Sequence, residues 1–433
     1  MQRKTINDFD IVKKIQENIK KQPDKKAIIF PTETITFREL DEQSGFLAQY
    51  LKQKKIKKGD RVVVILPISP MLFYIIFALI KVGATVVFIN PHMSLKNINN
   101  SIKISKSRAF IGNTKTSFLR FLSRAMSGIP IKITLREKKN IENKTVYKKS
   151  ISISENKYTP ESLMFIRFTT GSTGFPKGVE RTYQYMCDLF KATHDFSKIK
   201  ENDVDLTIFP MNILYNLVMG ITTVYPLKSF SKQQRIKPAE IVKQILENNV
   251  TTASGPPSFW KKIVCYCKRE KIVLDKIRFI FTGGDPVSLD LIYGLKQVFP
   301  KSKTNIVYGS TEVFPISWID IDGIIDSKDK ITKETGAMCV GRHHPNLKIR
   351  IITPTDKPIV LDKEGLDKIT LGEGKTGEII ISGKHVVKNY FGDENKAIFH
   401  QNKIIEDGKI WHRTGDLGYI NKNEIWFVGR MKR

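Results

Sequence analysis

A run of ten small, hydroxylic and basic residues constrains this chain most: Thr169-Thr170-Gly171-Ser172-Thr173-Gly174-Phe175-Pro176-Lys177-Gly178. It follows directly on the apolar stretch Leu163–Phe168 and precedes a helical pattern around Tyr183–His194. Strand, tight loop and helix in that order belong to a doubly wound α/β protein, in which ligands sit at strand ends. The glycines let the backbone fold tightly with its N–H groups exposed. The hydroxyls add donors and Lys177 a positive charge, so the loop can wrap phosphate oxygens. It is not the ordinary P-loop, because no Gly-Lys-Ser/Thr follows the glycines. A flexible linker would need neither Pro176-Lys177-Gly178 nor a place beside a buried strand.

The rest of the chain fits the same class. Helical and strand patterns alternate from Asp10 to Ile111 and again from Ser162 to Tyr308, as in mostly parallel sheets with helices on both faces. After about Asp320 short β-rich runs with frequent turn residues take over, at Lys348–Ile352, Gly377–Ser382, Lys409–His412 and Glu424–Val428. The expected organisation is two doubly wound, mostly parallel α/β subdomains, 1–160 and 161–330, followed by a smaller β-barrel-like subdomain, 331–428.

A hydrophobic content of 41% over 433 residues is that of a packed globular protein. The formal net charge of +29 has three readings: nucleic acid, anionic lipid, or a lysine-rich surface. The lysines are dispersed, and the densest runs, Lys52–Lys58 and Lys132–Lys149, hold one aromatic between them, Tyr147, not the interleaved series of a single-strand binding groove. A basic surface with no nucleic-acid partner is therefore expected, and weak association with an anionic membrane surface stays open. Val62–Ile80 carries no charge, but Pro67, Ser69 and Pro70 interrupt it, so it reads as buried strand, turn and buried helix rather than a membrane span. Four cysteines are too few for a disulfide framework, and Cys265-x-Cys267 reads as buried thiols in a cytoplasmic protein. His343, His344 and His412 lack a third ligand at a readable spacing and are expected to be structural.

Four further segments follow the glycine-rich run in order: Gly283-Gly284-Asp285-Pro286, Tyr308-Gly309-Ser310-Thr311-Glu312, Trp411-His412-Arg413-Thr414-Gly415-Asp416 and Gly429-Arg430-Met431-Lys432. Singly each is weak, and a Thr-Gly-Asp alone is most often a turn. Together, over essentially the whole chain, they resemble the signature segments of the adenylate-forming superfamily. That superfamily includes acyl-CoA synthetases, peptide-synthetase adenylation domains and luciferases.

The resemblance implies the cofactors ATP and Mg²⁺, with CoA an open second acceptor, and a small-molecule carboxylic acid, read as fatty acyl, as partner. Thr169, Thr170, Gly171, Ser172, Thr173 and Gly174 would cradle the phosphates with Lys177. Gly283, Gly284 and Asp285 would line the adenine pocket, with Tyr308 on the base beside Gly309 and Ser310. Thr311 would contact the α-phosphate, Glu312 would hold the metal, and Asp416 and Arg430 would reach the ribose. Lys177, Thr311 and Glu312 are the expected catalytic set. The resemblance further implies a hinge at 429–433, with Lys432 as pivot, and a C-terminal domain that is absent from this sequence; that absence motivates the alternative of a catalytically silent nucleotide or acyl-adenylate binder. Phe209–Asn216 lacks the histidine usual in acyl-CoA synthetases. With Pro91–Asn97 and Cys339–Arg342 it is more similar to the β-lactone synthetases of olefin biosynthesis. Asp285 stands where a small apolar residue is usual, and Tyr183 where histidine is frequent.

Overall fold

A computed structural model of the chain describes residues 9–90, 93–117, 123–135, 151, 158–170, 175–227 and 236–431. It opens with the helix Ile11–Lys21, capped by Asp10, and two short strands, β1 (Lys26–Ile29) and β2 (Thr34–Thr36). Thr36 and Glu39 form a reciprocal capping box that starts the helix Phe37–Gln53.

The first sheet has six strands: β3 (Arg61–Ile65), β4 (Thr85–Ile89), β5 (Ala109–Asn113), β6 (Ile131–Leu135), β7 (Leu163–Thr170) and β8 (Pro176–Thr182). Their order is β6-β5-β3-β4-β7-β8, parallel except for the closing hairpin β7–β8. The uncharged stretch at 62–80 divides as expected into β3 and the helix Pro70–Val82, which Pro70 starts and Gly83 ends at φ +79°. Lys81, fully buried on that helix, donates to the Asp41 carboxylate at 2.7 Å and so ties it to the Phe37–Gln53 helix. Among the described residues no helix is long and apolar enough to cross a membrane.

The second sheet holds β9 (Val204–Thr207), β10 (Thr222–Val224), β11 (Thr252–Gly255), β12 (Phe279–Gly283), β13 (Lys303–Tyr308) and β14 (Ser317–Asp320). It continues through β15 (Met338–His343), β16 (Leu347–Ile352), β17 (Gly377–Gly383), β18 (Lys403–Glu406), β19 (Lys409–Asn421) and β20 (Glu424–Arg430). The order is β16-β17-β19-β20-β15-β14-β13-β12-β11-β9-β10-β1-β2, with β18 on β19. The strands from β9 to β13 are parallel, and those from β14 on are antiparallel. One large core spans both sheets, and smaller clusters fill the antiparallel end.

Sheet membership crosses the boundary expected at residue 160. β1 pairs with β10, so the chain's first strands belong to the second sheet. β7 and β8, expected to begin the second unit, close the first sheet instead. The β-rich region does not stand apart either, because β15 pairs with β14. Partnering between short strands is settled by distant packing, which a local pattern does not carry. Two helices, Ile321–Ser327 and Asp329–Thr335, occupy residues expected to be β-rich or turn, the first capped by Asp320. Cys265 is exposed, unlike the expected buried thiol, while Cys267 is buried.

Candidate functional site

The hairpin β7–β8 forms one wall. Thr169 pairs with Lys177 and Thr170 with Pro176, so the two described ends of the glycine-rich run lie side by side. Gly171, Ser172, Thr173 and Gly174 lie outside the described residues, as do Lys432, Pro91 and His92. The two-residue alternation of strands puts Arg167 and Thr169 of β7 on the same face as Lys177, Val179 and Arg181 of β8. Gly178 faces the other way, where an added Cβ would lie 3.0 Å from the Phe168 ring and 3.2 Å from Phe391.

The turn from β13 to β14 forms the opposite wall. Ser310 Oγ accepts from the backbone N–H groups of Glu312 (3.2 Å) and Val313 (3.3 Å), while the Ser310 N–H donates to the Val313 carbonyl at 2.8 Å. Thr311 and Glu312 are thereby presented to the hairpin. Arg181 Nη2 donates to the Thr311 carbonyl at 3.2 Å. The Glu312 carbonyl accepts from the Val387 N–H at 2.8 Å, and its Oε1 accepts from the Tyr390 hydroxyl at 3.2 Å. Tyr390 in turn bridges to Val179, and the Phe391 N–H donates to the Gly178 carbonyl at 2.6 Å, so this segment extends the edge of β8.

Lys403 stands behind that segment, 2% exposed, donating to the Val387 carbonyl with its ammonium 5.5 Å from the centre of the Tyr390 ring. Burial pulls its pKa down to about 7, Glu312 opposes the shift, and Lys177 adds to it. Arg167 is exposed, yet enclosure among protein atoms and then Arg181 pull its guanidinium down to about 10, against Glu312.

The third wall is β19. The motif Thr414-Gly415-Asp416 lies inside this long strand, where the sequence suggested only a short strand ending at His412. Arg413 and Glu378, both fully buried, form an ion pair at 2.6 Å, and Glu378 Oε1 also accepts from the Gly415 N–H at 3.2 Å. The Asp416 N–H donates to Thr414 Oγ1 at 3.0 Å. Asp416, 4% exposed, receives the Tyr308 hydroxyl on Oδ2 at 2.6 Å and faces Arg430 Nη1 with Oδ1 at 2.9 Å. Burial raises its pKa, with the Tyr308 hydrogen bond and the Arg430 charge opposing. Burial, then the Asp416 charge, pushes the Tyr308 phenol well above 10.

At the end of β12, a Cβ on Gly283 would lie 2.1 Å from the Val307 carbonyl oxygen, and Gly284 sits at φ +87°. Both positions therefore require glycine. Asp285 beside them is exposed. Tyr183 turns into the core, donating to Asp10 at 2.5 Å and stacking on Tyr158. His344 and His412 are buried, and no cluster of metal-type ligands is found among the described residues.

Strand pairing sets Thr169 beside Lys177, Arg181 ties that hairpin to the turn of Thr311 and Glu312, and Asp416 links Tyr308 to Arg430. Sequence reasoning missed Arg167, Arg181, Tyr390 and Lys403. For Arg181 a signal existed, because it shares the alternation of Lys177. Lys403 offered none, because its burial depends on Val387 and Tyr390.

The chain belongs to the AMP-binding enzyme family, whose profile matches residues 15–391. An olefin β-lactone synthetase of Stenotrophomonas maltophilia is 25% identical over 97% of this chain and 79% of its own length. A 4-coumarate–CoA ligase of Humulus lupulus is 24% identical over 96% of this chain and 74% of its own. Among solved structures, a long-chain-fatty-acid–CoA ligase of Archaeoglobus fulgidus superposes with a TM-score of 0.79 at 20% identity, covering 99% of this chain and 85% of that one.

Proposed function

We propose that this chain activates a fatty acid as its acyl-adenylate beside the β7–β8 hairpin and passes the acyl group to the thiol of CoA. The observation that carries the reading is the meeting of Asp416 and Tyr308 with the turn that presents Thr311 and Glu312 to the hairpin of Thr169 and Lys177. A carboxylate oxygen of the acid attacks the α-phosphorus, the bond to the β-phosphate breaks, and pyrophosphate leaves. The thiol then attacks the acyl carbon and AMP leaves. Position and charge neutralisation do most of this work.

In this reading Thr169, Thr170, Ser172, Thr173 and Lys177 hold the outer phosphates, and Thr311 meets the α-phosphate. Tyr308 and the side-chain-free Gly283-Gly284 frame adenine, and Asp416 with Arg430 fixes the ribose. The residues present suit such a nucleotide. Gly283 leaves no room for a side chain, and buried Asp416 Oδ1 has only the ion pair to exposed Arg430, without a hydrogen bond. Glu312, a hard carboxylate steadied by Tyr390, would hold Mg²⁺, which when bound supplies charge neutralisation on the phosphates.

The second reading is a β-lactone former, in which the 3-hydroxyl of the adenylated acid displaces AMP. Its support is the pair of relatives named olefin β-lactone synthetases, 25% and 26% identical over 97% and 92% of this chain.

The test is calorimetric titration with Mg·ATP and with two non-hydrolysable adenylate mimics, one plain long-chain and one 3-hydroxylated. Both mimics should bind well beyond ATP. Clear preference for the hydroxylated mimic moves the second reading to first place. Binding of none of the three overturns adenylation by this chain.

A further inference from the structure

Arg181 is 5% exposed, yet two of its three guanidinium nitrogens, Nε and Nη1, have no hydrogen-bond partner. Leaving charged donors buried and unmatched is costly, and such an orphan marks a site for an absent acceptor. Nη2 alone is engaged, on the Thr311 carbonyl at 3.2 Å, and the Tyr185 ring lies 6.0 Å from the guanidinium carbon. Lys177, Arg167 and Arg181 occupy successive positions on one face of the β7–β8 hairpin, about 7 Å apart along the strands. Lys403 lies behind Tyr390, whose hydroxyl donates to Glu312. The two open nitrogens of Arg181, with Arg167 next along the same face, suit an anion with several oxygens such as pyrophosphate better than a single carboxylate.

We propose that Arg181, with Arg167 beside it, is a further anion-holding residue that grips the pyrophosphate end of the nucleotide and stabilises pyrophosphate as the leaving group. The inference rests on the adenylation reading. As the α-phosphorus bond breaks, its electron pair passes to the departing pyrophosphate oxygen. Donors already fixed next to that oxygen meet the growing charge without reorganising. Nothing is oxidised, and no proton need pass through the guanidinium.

The experiment is calorimetry of the full chain with Mg·pyrophosphate and, separately, with AMP, for the parent and for Arg181→Met, Arg181→Lys and Arg167→Gln. Thermal melts check that each is folded, and exposed Arg167 keeps the test alive if the Arg181 variants do not fold. Arg181→Met should weaken pyrophosphate about 10- to 100-fold and leave AMP within about twofold, the loss expected when charge-assisted hydrogen bonds disappear. Arg181→Lys should recover part of the loss, and Arg167→Gln should weaken pyrophosphate about 3- to 10-fold. Unchanged pyrophosphate affinity in the folded variants, or equal loss of pyrophosphate and AMP, overturns the assignment. A parent chain that binds neither ligand would instead overturn the adenylation reading beneath it.

Discussion

The hydroxyl of Tyr308 donates to Oδ2 of Asp416 across 2.6 Å, although the two residues stand 108 positions apart. The contact fixes the carboxylate proposed for the ribose against the ring proposed for adenine. Because burial raises the Asp416 pKa above the usual 3.8, its ionised form costs folding energy at neutral pH, and that cost is relieved as pH falls through the raised value. Asp416→Asn should therefore keep its melting temperature at pH 7 while binding AMP about tenfold or more weakly. In the parent, AMP affinity should fall on acidification with a midpoint above 3.8, and in the variant that dependence should vanish. Equal AMP affinity in the two chains would refute the ribose assignment.

The Arg413–Glu378 pair is the anchor of β19. Arg413 also donates to the carbonyls of Thr355, Lys357 and Gln401, so removing Glu378 strands a buried cation. Glu378→Ala should cost about 3–5 kcal/mol of stability. Chemical denaturation measures it, and a loss below about 1 kcal/mol would mean that the strand is held by other contacts.

Lys403 has a pH signature. Burial lowers its folded pKa from the usual lysine value of 10.5 to about 7. Between the two, the unfolded chain keeps a proton that the folded chain has released, so its contribution to stability rises with pH and is smallest below 7. The expected size is on the order of a few kcal/mol. Lys403→Met should remove that rise, read from denaturation curves at pH 6, 8 and 10. Identical pH dependence in parent and variant would count against a buried, easily deprotonated amine.

Much of the site was legible because its residues sit in short contiguous runs whose chemistry is local. Tyr308 to Glu312 and Thr414 to Asp416 could be picked out before any fold was known. Their setting could not. Asp416 looked like a turn residue because the strand around it gains its length from pairing with β17 and β20, not from its own sequence. Ile321–Thr335 read as β-rich or turn because its helices bury few residues, and the first owes its start to the Asp320 side chain. Arg181 lies on a strand that the loop-then-helix reading of 169–194 did not anticipate, and its enclosure depends on Thr311 and Tyr185. The parallel core was readable because β3 and β4, buried on both faces, are almost wholly apolar.

The placement of β1 beside β10 bears on how the molecule is made. Thr222 Oγ1 donates to the Lys26 carbonyl 196 positions earlier, and Ile28 is in register with Thr223. A nascent chain must hold Lys26–Thr36 without its partner while the whole first sheet emerges from the ribosome. The opening segment is then a latecomer to its own sheet, and closing so long a loop makes that pairing intrinsically slow. Molecules caught before it closes would expose one bare strand edge, which another unfinished copy could borrow.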